Sequence, residues 1–391
     1  MLRVLNDVLW TTDQGDSAIL VLLDLSSAFD TLHHETLLSR LNLCVGVGDT
    51  VLKWFSSYLS ERCFSVKYGD SVSSTTPLPY GVPQGSILGP ILFSLYLLPL
   101  GQIFRKHGIA YHLYADDSQI YMPLKLNNNS SLSPLLSCLN DIKAWLSLNF
   151  LCLNESKTEV IVFGPNGPGI LPADLGSLQP YIKTVVSNLG VKLDNGLNLD
   201  KQISAVVSSS FYHLRLLSQI KSVLSFSDFE RVIHAFISTR LDYCNALYAG
   251  LNKGSIARLQ LVQNAAARLL TGTRRREHIT PVLASLHWLP VRFRIDFKIL
   301  LFVFKSLNGL APEYLAELLK VYEPPRNLRS TGQLQLTPLT AEKRTRGDRA
   351  FSVIGPTLWN ALPLQIRFAP TVASFKTRLK THLYAQAFSF V

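Results

Sequence analysis

Residues 18–25, Ala-Ile-Leu-Val-Leu-Leu-Asp-Leu, restrict the fold more than any other stretch of this chain. An unbroken run of branched and aliphatic side chains, with no polar alternation, is the pattern of a strand buried on both faces. It ends in an acid, Asp24. Residues 26–41 then read as a turn into a helix, with Asp30 or Thr31 as its cap and Leu32, Leu37, Leu38 and Leu41 as its inner stripe. Residues 51–60 predict a second helix, and 61–74 a hairpin turning at Gly69-Asp70. A Pro/Gly-rich loop from residue 77 runs into an apolar helix that ends near residue 100. Residues 111–122 predict a second hairpin, 132–148 a third helix with apolar residues at three- and four-residue steps, and 153–164 a loop leading to a strand. A Gly/Pro-rich linker follows at 164–176, then a short strand or turn at 187–194.

Strand, helix, helix, hairpin, helix, strand is the order of a split βαβ arrangement, an α+β fold with helices on one face of an antiparallel sheet. From about residue 200 the pattern is helical only, with helices expected at 203–224, 228–248, 253–270 and 280–307. Ser227 and Glu230 match a capping box. Residues 321–347, rich in Pro, Arg and Thr, predict a partly ordered connection, and 374–386 a short basic helix.

Charge divides the chain differently. Of 38 Lys and Arg, 19 lie from residue 268 onward, against 7 of the 27 Asp and Glu. The last third therefore holds all of the net charge of +11, which points to a polyanionic partner such as nucleic acid. Five cysteines without a Cys-x-x-Cys pair argue against a disulfide scaffold or structural zinc and for an intracellular setting. The longest apolar run, Ile87 to Leu100, is broken by Gly89-Pro90 and Pro99, so no membrane span is expected.

Within the second hairpin stand two adjacent acids, Asp116 and Asp117. Taken alone they fit turn chemistry as well as metal binding. Nucleotidyl transfer asks for acids of this kind, because two Mg²⁺ ions about 3.5–4 Å apart stabilise the attacking and leaving oxygens. Magnesium is held by one or two carboxylates plus substrate phosphates. Asp24, at the end of a buried strand, is an acid that could face the pair.

Five segments occur in an order that carries a family resemblance: LDLSSAFDTLHH, YGVPQGSILGPILF, YADDSQIYM, LNESKTEVIVFG and NLGVKLD. They resemble the motif blocks of reverse transcriptases, most closely those of non-LTR retrotransposons (long interspersed elements). The resemblance implies a right-hand polymerase palm followed by an all-helical, thumb-like region. The division it suggests is 1–200 for a palm with residual fingers, 201–320 for the thumb-like domain and 321–391 for a basic C-terminal extension. Asp24, Asp116 and Asp117, with the carbonyl of Leu25, would hold two Mg²⁺ ions, with Mn²⁺ as a substitute. Lys157 would protonate the departing pyrophosphate. Phe29 would exclude a ribose 2′-hydroxyl, and Gln84 and Gly85 would contact the incoming nucleotide. Tyr114, Asn188, Leu189 and Gly190 would support the primer end. Arg274, Arg275, Arg276, Arg292, Arg294 and Lys298 are the candidates for contact with nucleic-acid phosphates.

The implied partners are an RNA template, a DNA primer and dNTPs, in the cytoplasm and nucleus. Family members carry a fingers region and usually an endonuclease ahead of the first block, and neither fits in residues 1–17, so the chain reads as N-terminally truncated. The alternative is a catalytically dead product that only binds nucleic acid. Arg346-Gly347-Asp348 spells an adhesion tripeptide, which reads as coincidence here.

Overall fold

A computed structural model describes residues 1–125, 132–165, 167–168, 175–323, 332–343 and 346–388. Most of the 164–176 linker and parts of 321–347 lie outside the described residues. The chain mixes helix and sheet and divides into two compact units. One comprises Ser17–Val162 with Gly169–Val186; the other comprises Met1–Asp16, Phe163–Pro168 and Ser187–Val391.

The first unit is built on a sheet whose strands are β1 (Ser17–Leu23), β2 (Ala110–Tyr114), β3 (Asp117–Leu124) and β4 (Glu159–Gly164), in the order β4-β1-β3-β2. β1 runs antiparallel to β3, from Ser17 opposite Leu124 to Leu23 opposite Ser118. β2 and β3 form the expected hairpin, from Ala110 opposite Tyr121 to Tyr114 opposite Asp117. Ile19, Val21 and Leu23 point from alternate positions of β1 into one core, joined by Ile120 and Val160. Helices Gly89–Leu97, Leu100–Lys106 and Ser133–Leu148 close that core with Phe93, Tyr96, Phe104, Leu135 and Ile142, all buried. Burying each such large side chain contributes roughly 1.5–3 kcal/mol. Cys138 belongs to this core, and burial pushes its thiol up to about 11, which makes it an inert packing residue.

The helix after β1 begins later than its sequence suggests. It spans His34–Leu43 and is capped by His33, whose ring accepts from the Thr36 amide. Asp30 and Thr31 are therefore not caps. Arg40 of this helix is buried, donates to the Tyr96 carbonyl and to Asn149 Oδ1, and lies over the Tyr96 and Trp145 rings at 4.2 and 5.1 Å. The hairpin at 61–74 turns at Gly69-Asp70 as expected.

The second unit is mainly helical. Its helices include Leu2–Asp13, Asp200–Ile220, Phe226–Ile233, Lys253–Thr271, Val291–Leu307, Phe351–Asn360 and Val372–Phe388. The opening helix thus packs with the far end of the chain. Asn6 Oδ1 accepts from the Ser352 amide, and the buried Asp13 carboxylate accepts from the amides of Glu342, Lys343 and Gly347 at 2.8–3.0 Å. The described residues of 321–391 group with this unit, and Phe375 stacks on Phe304 at 4.2 Å.

Two further expectations fail for local reasons. Residues 280–307 form two helices, Thr280–Ser285 and Val291–Leu307, because Pro290 lacks an amide proton and His287 takes a positive φ of 55°. The cap near 227 is Ser225, whose hydroxyl accepts from the Asp228 amide and donates to its carboxylate. Arg346 and Gly347 are buried, so the tripeptide that begins with them presents no adhesion loop. Among the described residues no helix is long and apolar enough to cross a membrane.

Candidate active site

Strand register decides where the acids go. Leu23 is opposite Ser118, so Asp24, one step further, arrives beside Asp117 across neighbouring strands about 4.7–4.9 Å apart. Asp117 is also the last residue of the β2–β3 ladder, opposite Tyr114, which leaves Ala115 and Asp116 as a two-residue loop. Ala115 takes a φ of 52°, the positive value that such tight hairpin turns require. Turn chemistry and clustering of acids are therefore the same feature.

Partial desolvation raises the Asp117 carboxyl above its ordinary value, and the like charges of Asp116 and then Asp24 raise it further. Asp24 is half-buried, and its Oδ2 lies 3.4 Å from the Lys157 ammonium. The pair is electrostatic only, because the buried Oδ2 has no hydrogen-bond partner among the described residues. Lys157 closes a short 3₁₀ turn, Glu155–Lys157, just before β4, and the Asp24 carbonyl accepts from the Asn154 amide at 2.9 Å. Leu25 pairs with Leu153 beside it.

An unsatisfied buried carboxylate oxygen next to mutually repelling acids suits a hard cation, and the donors are all oxygen. Among the described residues, however, no group of three or more His, Cys, Asp or Glu is arranged to hold a metal ion. The carboxylates thus fit a site that phosphate oxygens of a substrate would complete.

The loop from Tyr80 to Gly85 is tied to the turn after β1. Val82 N donates to the Phe29 carbonyl and Gly81 N to that of Leu32, both at 2.8 Å, and His34 Nε2 lies 2.7 Å from the Gly81 carbonyl. Gly81 has a φ of 83°, and a Cβ there would sit 2.9 Å from the backbone of Phe29 and Asp30. This close seam brings Gln84 Nε2 to the Asp30 carboxylate, at 2.9 and 3.1 Å. Asp30, read from sequence as a helix cap, joins this seam with Gly81 and His34, which the sequence does not single out; the glycine in a Pro/Gly loop is the available signal. Gly85 has a φ of 80° and open space around it. Phe29 is half-buried, its ring 5.0 Å from that of Phe93. Tyr114 is exposed.

The other expected residues lie in the helical unit. Leu189 and Gly190 form the two-residue turn of a hairpin, both at positive φ, and Tyr243 Oη donates to the Leu189 carbonyl at 2.6 Å. Asn188, at the end of the first strand, is buried. Arg274, Arg275 and Arg276 are exposed on a loop that Arg268 organises by donating to the carbonyls of Arg274, Arg275 and Glu277. Arg292 is exposed. Arg294 is held by a bidentate pair with Asp242, and Lys298 is half-buried.

Residues 3–193 match the profile of the family described as reverse transcriptase (RNA-dependent DNA polymerase). This segment is a reverse transcriptase domain. Its relatives include probable RNA-directed DNA polymerases from two Drosophila melanogaster transposons, BS (27% identity over 282 residues) and X-element (25% over 278). The RNA-directed DNA polymerase from the mobile element jockey of the same species is 24% identical over 280 residues. Each alignment covers 69% of this chain and 30% of the relative, so the chain spans about a third of the length of the curated proteins it matches. These mobile-element relatives make the reverse transcriptase domain one of the long interspersed element type. Among solved structures, a telomerase from Candida albicans in complex with a fragment of telomeric RNA aligns at a TM-score of 0.38 and 10% identity, over 73% of this chain and 49% of that one.

Proposed function

We propose that this chain is the polymerising part of an RNA-directed DNA polymerase of a non-LTR retrotransposon, with the first unit as palm and the helical unit as thumb. The observation that carries this is the register that sets Asp24 beside Asp117 at the tip of the Tyr114–Asp117 hairpin. Asp24, Asp116 and Asp117, with the Leu25 carbonyl, would hold magnesium, which when bound supplies charge to the reacting phosphate. The chain's own groups do the rest. Lys157, beside Asp24, is positioned to give a proton to the leaving pyrophosphate. Phe29, backed by Phe93, is a rigid wall where a nucleotide sugar would lie. Gln84 is aimed by Asp30, and Gly85 offers bare backbone to the nucleotide. Tyr114 and the Asn188–Gly190 turn would support the primer, and the 274–276 arginine loop would hold phosphates of an RNA–DNA hybrid.

The test is extension of a DNA primer on an RNA template with dNTPs and Mg²⁺. Activity should vanish in the Asp116→Ala, Asp117→Ala double variant, and equal activity in that variant sinks the proposal. A second reading, nucleic-acid binding without catalysis, draws on the exposed Arg274–Arg276 loop, which needs no metal to meet phosphates. It requires binding of hybrid that weakens steeply with salt, together with no nucleotide incorporation.

A further inference from the structure

Within the helical unit, remote in sequence from the acids, lies a cavity of about 330 Å³ between the segments 230–245, 286–298 and Lys380. That volume is at the lower end of the roughly 300–1,000 Å³ typical of small-molecule sites. The helix that begins at Phe226 opens into a π-turn at His234–Ser238, and His234, its first residue, lines the cavity. Such widened turns occur frequently at functional sites. Its ring lies 5.1 Å from that of Trp288, giving the cavity an aromatic wall. Burial holds the His234 imidazole below its usual range, so the wall is uncharged at neutral pH.

The polar groups divide into two kinds. Arg294 and Asp242 neutralise each other. Glu230 accepts from Trp288 Nε1 at 3.3 Å through Oε1, which also lies 3.7 Å from His234 Nε2. Asn245, 2% exposed, gives its amide nitrogen to Asp242, while its Oδ1 has no partner among the described residues. Glu230 and Asn245 therefore offer acceptors that call for N–H donors. Lys298 and Lys380 also line the cavity, and neither has an ion-pair partner among the described residues. They call for an anion.

We infer that this cavity binds a nucleotide whose base carries an exocyclic amine, with the base against Trp288 and His234, its amine toward Glu230 and Asn245, and its phosphate on Lys298 and Lys380. Base stacking on aromatic side chains contributes about 1–3 kcal/mol and tolerates any base. The acceptor pair supplies the preference, because an exocyclic amine brings two N–H donors where uracil presents a carbonyl acceptor and a single ring N3–H. The inference is independent of the polymerase reading. The source is either a free mononucleotide or one unpaired nucleotide of a strand.

Equilibrium dialysis of the full chain in EDTA, with CMP and UMP and with single-stranded pentacytidine and pentauridine RNA, tests it. CMP or pentacytidine should bind at least tenfold more tightly than its uridine counterpart. Binding of CMP itself identifies a mononucleotide site, and binding of the pentamer alone identifies a strand site. Lys298→Gln with Lys380→Gln should weaken binding at least tenfold, and Lys380→Gln alone, at an exposed position, at least threefold. Lys376→Gln, exposed on the same helix, and Asp117→Asn, at the proposed polymerase site, should leave it unchanged. No binding of any probe, no preference for cytidine, or an equal loss in Lys376→Gln overturns the inference. Loss of the preferred binding in Asp117→Asn overturns it too, by assigning that binding to the polymerase site.

Discussion

At the scale of single residues, the first unit places charge where the fold would be better off without it. Asp117 is pushed above its ordinary value by partial desolvation and by Asp116 and Asp24. For an acid raised on folding, the neutral form is the one the fold favours, so the stabilising contribution is present at low pH and is lost as pH rises through the folded value. Asp117→Asn should therefore melt slightly higher than the parent chain at pH 7, by no more than ~1 kcal/mol at so exposed a position, while primer extension is lost. Thermal melts and extension assays on the same samples check both halves; a lower melting temperature would count against mutual repulsion. Gly81 is constrained in the opposite sense. Its φ of 83° and the 2.9 Å approach to Phe29 and Asp30 leave no room for a side chain. Gly81→Ala should cost ~2–3 kcal/mol and free Gln84 from Asp30, which urea unfolding and a raised KM for dNTP would register.

At the scale of elements, what was legible in the sequence is what short-range pattern determines. The β1 run, the hairpin at Gly69-Asp70 and the Ser133–Leu148 helix stand where periodicity and turn residues put them. Capping was misread at Asp30 and at Ser227, because several nearby polar residues can cap and tertiary contacts choose among them. Asp30 is drawn away by Gln84, 54 residues on, and nothing local announces that partner. The same holds for the acid triplet: the residues were legible, but their meeting depends on the β1–β3 register. The Val291–Leu307 helix carries a feature that periodicity does not reveal. Burial raises its Asp296 carboxyl to about 6, and Arg292 one turn earlier offsets only part of this. The neutral acid's contribution is complete below 3.8 and lost as pH rises through about 6. Asp296→Asn should thus be more stable than the parent by ~2–3 kcal/mol at pH 7.5 and no different near pH 4. Melting curves at the two pH values decide it, and a gap independent of pH would refute the assignment.

At the scale of the whole molecule, composition overstated what the basic last third can offer a polyanion. Arg346, Arg349 and Arg367 are buried, donating to the carbonyls of Gly196, Leu197 and Gln333, and Arg294 is paired with Asp242. These charges hold loops in place. The Arg274–Arg276 loop is an outward cluster of three, and Lys376, Arg378 and Lys380 are exposed on the last helix. Chain order misled in the same way, since the opening helix belongs with residues more than 300 positions away, a pairing that no local pattern encodes. Asp13 is its anchor, fully buried with three backbone amides directed at one carboxylate. Removing that carboxylate would strand three donors, the Gly347 amide buried and those of Glu342 and Lys343 partly so, each costing up to ~1–3 kcal/mol if left unmade, less whatever water recovers. Gly347 crowds the same carboxylate, 2.6 Å from where its Cβ would be, so no larger residue can replace the lost contact from that side. Asp13→Ala should therefore destabilise the helical unit by ~3–5 kcal/mol and abolish hydrogen-exchange protection at the amides of Lys343 and Gly347. Asp13→Asn, which keeps one acceptor oxygen, should lose about half as much. If the Ala variant keeps those amides protected, the carboxylate is not what joins the two ends of the chain.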